Sequence, residues 1–575
     1  MGYYKKIKVI WGSGYNELSI IVLFFLIASA IDLLGIGIIG PYIAILLNPE
    51  SFKLPFNLEE FLFSVGLLEN IILTSSFFLF LIFFFKLIIG IIVNKIILDF
   101  GFFHADRLRS ILMRKYFLMP YKDFANRNSS DYIYNITQLT EQYARGILSS
   151  ILRLISEGIT VIAIIILLFI QIGIVLFYLI TVSIVIIYLY DFFSKSKVQK
   201  YGHEANIYSA SMIKGIHEGI GGLKEIRSLN KERFFYDIFK LNSKQYAIAG
   251  AKSTLIQTIP RFMVEFILVS FFIVVVISTG SSLNTFLPTL GIIGVASIRL
   301  IPSVTYISTS LSQIRYGKDA VNRLYEDLVG YSELNFDYAN HDKSNLTEDI
   351  KEFESLEIRD ISFSYKTNSK VLIKNLNLKI NAGDAIGIMG KSGSGKTTLI
   401  DILLGLLHVK TGDVLLNNRK LQDDLYSLRS RVAYLPQQVF LIDASIKDNI
   451  ALGVKDEDIS YEKLKQSIKK AKLDIYINQL EDGIHTNIGE KGSILSGGLS
   501  QRVVLARAFY FDKDILIMDE STSSLDDETE NEILKEIEEL KGKKTIIIIA
   551  HKREVLKFCD NIYVLRNAKL EKLER

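Results

Sequence analysis

Six membrane-spanning α-helices followed by an α/β phosphate-loop domain is the fold class the sequence predicts, and three observations predict it. Six apolar runs crowd into the first 330 residues. The formal charge changes from +8 over residues 1–330 to −4 over residues 331–575. A glycine-rich segment of the form G-x-x-x-x-G-K-T follows a short apolar run in the second half. The chain of 575 residues is 49% hydrophobic and 22% charged with a net charge of +4, which excludes a disordered or collagen-like chain and a strongly nucleic-acid-seeking one. Its single cysteine, Cys559, can form neither an intramolecular disulfide nor a Cys-rich metal framework, and reads as packing.

The apolar runs fall at 18–47, 71–98, 148–170, 173–194, 254–279 and 285–309. Each can supply the ~20 helical residues that cross about 30 Å of hydrocarbon. The first is longer than the core of a signal peptide and lacks a clear cleavage pattern, so it reads as a span. Lys and Arg set the orientation. Lys5, Lys6 and Lys8 precede the first run, seven basic residues lie in 102–147 and eleven in 195–253, whereas 48–70 contains Lys53 alone. Both ends of the six-span unit are therefore expected in the cytoplasm. The two long cytoplasmic connections are helix-compatible, and each breaks where a short transverse helix would fit, around MPYKDFANRNSSD and HEGIGGLKEIRSLN.

Residues 1–330 thus form the expected membrane domain, the polar stretch 331–352 a linker, and 353–575 a second domain. There the apolar run DAIGIMG leads into GKSGSGKTT and then into the helix-compatible TTLIDILLGLL. Gly390, Gly393 and Gly395 let the backbone curl so that N–H groups face phosphate oxygens, with Lys391, Ser392 and Ser394 between them. Lys396 is expected against the β and γ phosphates and Thr397 on Mg²⁺, with Thr398 completing the motif. Downstream, DILIMDES ends a strand in two carboxylates: Asp519 suits Mg²⁺, and Glu520 suits orienting or deprotonating an attacking water. Between them, Ser496, Gly497 and Gly498 open a strongly helical sequence and offer a second helix N-terminus to an anion.

The order of motifs, GKSGSGKTT, PQQ at 436–438, LSGG, MDE, SSLD at 523–526 and AHK at 550–552, resembles the ATP-binding cassette transporters, and six spans before one cassette resembles their exporter half-transporters. The resemblance implies ATP and Mg²⁺ as cofactors, Tyr365 stacked on adenine, Gln437 reaching Mg²⁺ and the attacking water, and His551 beside the γ phosphate. It also implies a homodimer in which Ser496, Gly497 and Gly498 of one chain close on the ATP of the other. Two positions depart from the family: Leu499 stands where Gln is common, and Lys552 where Arg is common.

The short N-terminus and the uninterrupted membrane half argue against an exporter that processes its own peptide cargo. The insert FNLEEFLFSVGLLEN, together with the IPRFMVEF and SIRLIPS segments, resembles the bacterial flippases of lipid-linked oligosaccharides. That implies a multi-pass protein of the bacterial inner membrane, driving a polyprenyl-pyrophosphate-linked glycan outward. Lys86, Arg261 and Arg299 lie 15 to 18 residues from the outer ends of their spans, or roughly 22 to 27 Å, and at this shared depth they could form a cationic belt in a substrate cavity. Snorkelling toward the interface, with Arg261 paired to Glu265, is the plainer reading. Asp32 is intramembrane without an assigned role. An exporter of another lipid, drug or peptide, and a cassette protein that gates without moving cargo, are the competing functions; intact Lys396, Asp519, Glu520 and His551 argue against the latter.

Overall fold

The structure, a computed structural model, describes residues 2–12, 15–47, 71–172, 174–279, 283–330, 352–365, 371–409, 411–421, 425–522 and 525–573. The insert at 56–70 and nearly all of the expected linker lie outside the described residues. Contacts divide the chain into a membrane unit, Met1–Met119 with Phe124–Phe336, and a second unit, Asp337–Arg575 with Pro120–Asp123.

The membrane unit opens with the short helix α1 (Tyr3–Trp11), followed by α2 (Tyr15–Leu47) and α3 (Ile71–Leu118). After the short α4 (Tyr121–Ala125), α5 begins as Ser129–Tyr134, passes through two π-helical stretches, Asn135–Leu139 and Gln142–Leu148, and continues as Ser149–Ile172. Then come α6 (Ile174–Gly221), α7 (Leu223–Ser228), α8 (Glu232–Thr279), α9 (Leu283–Tyr316) and α10 (Lys318–Val329). All six expected spans lie on helices: α2, α3, α5, α6, α8 and α9. Among the described residues, five helical segments are long and apolar enough to cross a membrane. The fourth span lies on α6, where many side chains fall outside the described residues.

With 48 residues, α3 is about 72 Å long, far more than a bilayer's thickness, as are α6 and α8 of the same length. The spans therefore run on as helices, and the breaks fall where α4 and α7 turn the chain. Polar clamps fix these extensions. The buried Asp327 carboxylate of α10 accepts from Tyr116 (2.5 Å), Arg127 (2.7 Å) and Asn135 (2.8 Å), so the last membrane-unit helix is tied to α3 and to the start of α5. On its other side α1 packs against α10, with Lys6 donating to Asn322 at 2.8 Å. Helices α6 and α9 meet at Gly202, where a Cβ would sit 2.3 Å from the Tyr316 carbonyl oxygen, so only glycine fits.

The second unit contains two sheets. Strands β1 (Ser355–Phe363), β2 (Ile373–Asn381), β4 (Thr411–Leu416) and β5 (Arg419–Lys420) form an antiparallel sheet in the order β2-β1-β4-β5. Strands β3 (Ala385–Met389), β6 (Val432–Leu435), β7 (Ile515–Asp519), β8 (Thr545–Ile549), β9 (Asn561–Arg566) and β10 (Lys569–Lys572) form the second, in the order β10-β9-β3-β8-β7-β6. Every pairing from β9 to β6 is parallel, and β10 alone runs antiparallel.

Alternation along the central strands serves two cores, as expected for a sheet covered on both faces. Ile515, Ile517, Ile547 and Ile549 join the core that includes α11 (Lys396–Leu403), whereas Leu516, Met518, Ile546 and Ile548 join the one that includes α12 (Gly497–Phe511) and α13 (Asp527–Glu538). Cys559 is fully buried in the latter, which agrees with packing. Because β3, β8, β7 and β6 are parallel neighbours, the residues that follow them collect at one sheet edge, where α/β folds place their ligands.

Candidate functional site

The phosphate loop is a strand-to-helix turn between β3 and α11. Gly393 (φ 76°) and Gly395 (φ 104°) occupy backbone conformations that L side chains rarely adopt. At Gly390 a Cβ would meet Ser394 Oγ at 2.6 Å and the Leu565 carbonyl at 3.0 Å. Lys396 is buried and curls back, donating from Nζ to the carbonyls of Gly390 (2.9 Å) and Lys391 (3.3 Å). Lys391, Ser392 and Thr397 are exposed, Thr398 is buried, and Ser394 Oγ is buried without a partner. Such a loop presents donors to an outside anion.

Glu520, directly after β7, is the hub. Its backbone takes φ 49°, and its N–H donates to the Ile549 carbonyl at 3.0 Å, which turns the side chain out of the sheet's edge. Its Oε2 accepts from Gln437 Nε2 at 2.8 Å, its Oε1 lies 2.7 Å from His551 Nε2, and Lys396 Nζ is 3.8 Å away. Sequence segments more than a hundred residues apart thus converge on one carboxylate. Beneath it, burial pushes the Asp519 carboxyl above the usual range; the Glu520 charge adds to the effect, while Lys396 and a hydrogen bond with Tyr434 oppose it. Asp401, half-buried on α11 one turn after Thr397, is pushed up to about 6, first by burial and then by the Asp519 charge. Neither Tyr434 nor Asp401 was singled out from sequence. The signal was a polar residue inside an otherwise apolar strand or helix next to a motif.

Tyr365 is half-exposed with its hydroxyl 3.5 Å from Thr398 Oγ1, leaving a ring beside the loop. Ser496, by contrast, caps α12: its Oγ accepts from the Leu499 N–H at 3.3 Å, and the Leu499 side chain packs against the core. Ser496 and Gly497 are exposed and Gly498 is half-buried. Among the described residues none of the three is bonded to the phosphate loop, so one chain assembles the loop, Gln437, Asp519, Glu520 and His551 but leaves this segment facing outward.

Within the membrane unit, a cavity of about 320 Å³ is lined by Asp32, Lys86, Arg153, Glu157 and Arg299, among others. Asp32 bridges two cations, with Oδ1 2.9 Å from Lys86 Nζ and Oδ2 2.9 Å from Arg299 Nε. Arg299 also meets Glu157 at 3.3 Å, and Ser303 donates to the same carboxylate at 2.6 Å. The contacts of Arg153 are with neutral groups: it donates to Asn94 Oδ1 at 3.3 Å and lies over the Tyr306 ring at 5.2 Å.

The expected belt of three like charges therefore differs from what is found. Lys86 and Arg299 come together, but on the carboxylate of Asp32. Arg261 sits on an exposed face of α8, outside this cavity, and no Arg261–Glu265 ion pair forms among the described residues. Depth along a span is readable from residue counting; rotation about the helix axis, which separates Arg261 from the other two, is not. The missed residues, Arg153 and Glu157, lie one helical turn apart in the third span, and a search for polar i,i+4 pairs would have found them.

Two family models match the chain: "ABC transporter transmembrane region" over residues 18–302 and "ABC transporter" over residues 373–523. The ATP-dependent lipid A-core flippase of Pectobacterium atrosepticum is 28% identical over 79% of this chain and 77% of its own length. The flippases of the same name from Salmonella typhimurium and Escherichia coli are also 28% identical, over 78% of this chain and 76% of theirs. A solved bacterial Atm1-family ABC exporter with ATP bound has the same fold, with a TM-score of 0.79 over 97% of this chain and 94% of that one, at 19% identity.

Proposed function

Since the chain belongs to the ABC transporters, as an exporter half-transporter whose cassette hydrolyses ATP, we propose that it is a flippase of the bacterial inner membrane. It moves an oligosaccharide joined through pyrophosphate to a polyprenyl lipid from the cytoplasmic to the outer leaflet. The observation that carries this reading is the charged cavity among the spans, where Lys86, Arg153 and Arg299 border a space of headgroup size. Cations at membrane depth are costly and are retained where they meet an ionic substrate. Arg153, whose own contacts are with Asn94 and the Tyr306 ring, offers a guanidinium fork to a phosphate directly; Lys86 and Arg299 reach the anion by exchanging Asp32 for it. Arg261 has no part in the cavity of a single chain.

ATP hydrolysis is assigned to the sheet edge. Glu520 orients or deprotonates the attacking water, and Gln437 and His551 hold that carboxylate in place. Lys396 leaves the Gly390 and Lys391 carbonyls for the β and γ phosphates, the loop residues from Gly390 to Thr398 cradle them, and Tyr365 stacks on adenine. The oxygen donors of Thr397, Gln437 and Asp519 make a hard set that fits Mg²⁺, and the buried, acid-crowded Asp519 gains from a cation beside it. Once bound, Mg²⁺ neutralises charge on the β and γ phosphates.

The outward-facing Ser496, Gly497 and Gly498 have their role across a homodimer, closing on the partner's nucleotide. The membrane window of α3 supports such an assembly with lipid around it: it is highly apolar yet only 6% buried within the chain.

The relatives' names favour a second reading, a lipid A-type glycolipid as cargo. Reconstitution into liposomes separates the two. Loss of outside-accessible signal on ATP addition is measured for a polyprenyl-pyrophosphate-linked oligosaccharide, for lipid A-core and for a neutral phospholipid. Preference for the first supports the proposal, and flipping of lipid A-core alone overturns it.

A further inference from the structure

A second cavity of about 510 Å³ opens in the membrane unit next to the charged one, and Arg153 lines both. Its lining mixes neutral polar side chains with a closed ion pair. One wall is a stripe along α5 that carries Tyr134, Gln138 and Gln142 beside Glu141 and Arg145, which pair with each other at 2.6 Å, and the facing helices add Tyr246, Gln313 and Tyr316. The opposite face of α5, with Leu139, Tyr143, Ile147 and Leu148, is fully buried, so this polar stripe is held in one orientation. Both π-helical stretches fall on it, and π insertions are frequent at functional sites. Among the described residues, the side-chain amides of Gln138 and Gln142 have no partner, while Gln313 donates to Gln257 at 3.1 Å and Tyr134 to Asn206 at 3.0 Å.

We infer that this second cavity is a carbohydrate subsite, receiving the first sugars of a glycan whose anionic linkage sits at Arg153. The inference rests on the reading given under Proposed function. Primary amides and phenols both donate and accept hydrogen bonds, which is what vicinal sugar hydroxyls require, and the rings of Tyr246 and Tyr316, unlike that of the buried Tyr134, offer flat apolar surfaces to the faces of a pyranose. The order of the cavities matches the order of the molecule. On α3 the second cavity is lined by Leu98 and Phe102, about 18 to 24 Å farther along the helix than Lys86, toward the end assigned to the cytoplasm. Lipid anchor, phosphates and sugar then run in sequence from the membrane interior to the cytoplasmic mouth.

The test uses the full chain in proteoliposomes with two probes, a polyprenyl-pyrophosphate-linked oligosaccharide and the same lipid trimmed to one sugar. In Gln138→Ala/Gln142→Ala the ratio of oligosaccharide-lipid to single-sugar-lipid flipping should fall about tenfold, as expected for several lost hydrogen bonds to the glycan. Tyr246→Leu, on a different helix, should move the ratio the same way and carries the test if the double variant fails to show a cooperative melting transition. An unchanged ratio in melting-competent variants, beside a wild type that flips the oligosaccharide lipid, overturns the subsite and leaves the flippase reading standing. A wild type that flips neither probe overturns both.

Discussion

At the scale of single residues, two carboxylates organise the protein, one in each unit. Glu520 is held by the Gln437 amide and the His551 imidazole at 2.8 and 2.7 Å, with the Lys396 ammonium at 3.8 Å, so its carboxylate is fixed from three sides. Glu520→Gln keeps the shape and the phosphate cradle but removes the group that orients water. ATP binding should persist while hydrolysis falls by orders of magnitude, measured as nucleotide affinity beside steady-state turnover. Asp32 plays the opposite part, neutralising two cations at membrane depth. Asp32→Asn leaves Lys86 and Arg299 with less charge compensation and should destabilise the membrane unit by about 2 kcal/mol. Adding Lys86→Met should recover part of that loss, because the orphaned charge goes with it; thermal melting of the three variants in lipid nanodiscs reads the cycle.

Among elements, polar clamps and close approaches tie the long helices together along their length. Asp327 joins α10 to α3 and α5, and Gly202 lets α6 touch the end of α9. Gly202→Ala would drive a methyl to 2.3 Å from the Tyr316 carbonyl, backbone that cannot swing aside as a side chain could. The expected cost is about 1–3 kcal/mol, seen as a lower melting temperature. The same change at Gly215, where an added Cβ meets nothing within 4 Å, is the control and should be neutral or slightly stabilising.

For the whole molecule, the sheet edge of one chain holds every candidate catalytic group except the Ser496 segment. A shared site then has a simple genetic signature. Lys396→Ala disables a chain's own phosphate loop, and Ser496→Arg puts bulk on the surface it offers to a partner. Each variant alone should be nearly inactive, but mixed dimers contain one site built from an intact loop and an intact Ser496 segment. Co-expressed and co-purified through different tags, they should regain a substantial fraction of ATPase activity. No recovery would mean that each chain works alone or that both sites must fire together.

By itself the sequence determined the elements and the chemistry of the cassette, because both are local: a span needs an unbroken apolar run, and a phosphate loop needs Gly390, Gly395, Lys396 and Thr397 at fixed spacing. It also placed Lys86 and Arg299 at one depth, since depth is residue count times rise. What only the tertiary structure decided was which side chains face each other. Arg261 shares the depth but turns away, Asp32 acquires its role by meeting Lys86 and Arg299 from other helices, and Tyr434 and Asp401 reach Asp519 through strand order. The polar stripe of α5 likewise reads as surface until α6, α8 and α9 close a cavity against it. Rotation about a helix axis and the order of strands are set by packing between distant segments, and no local pattern records them.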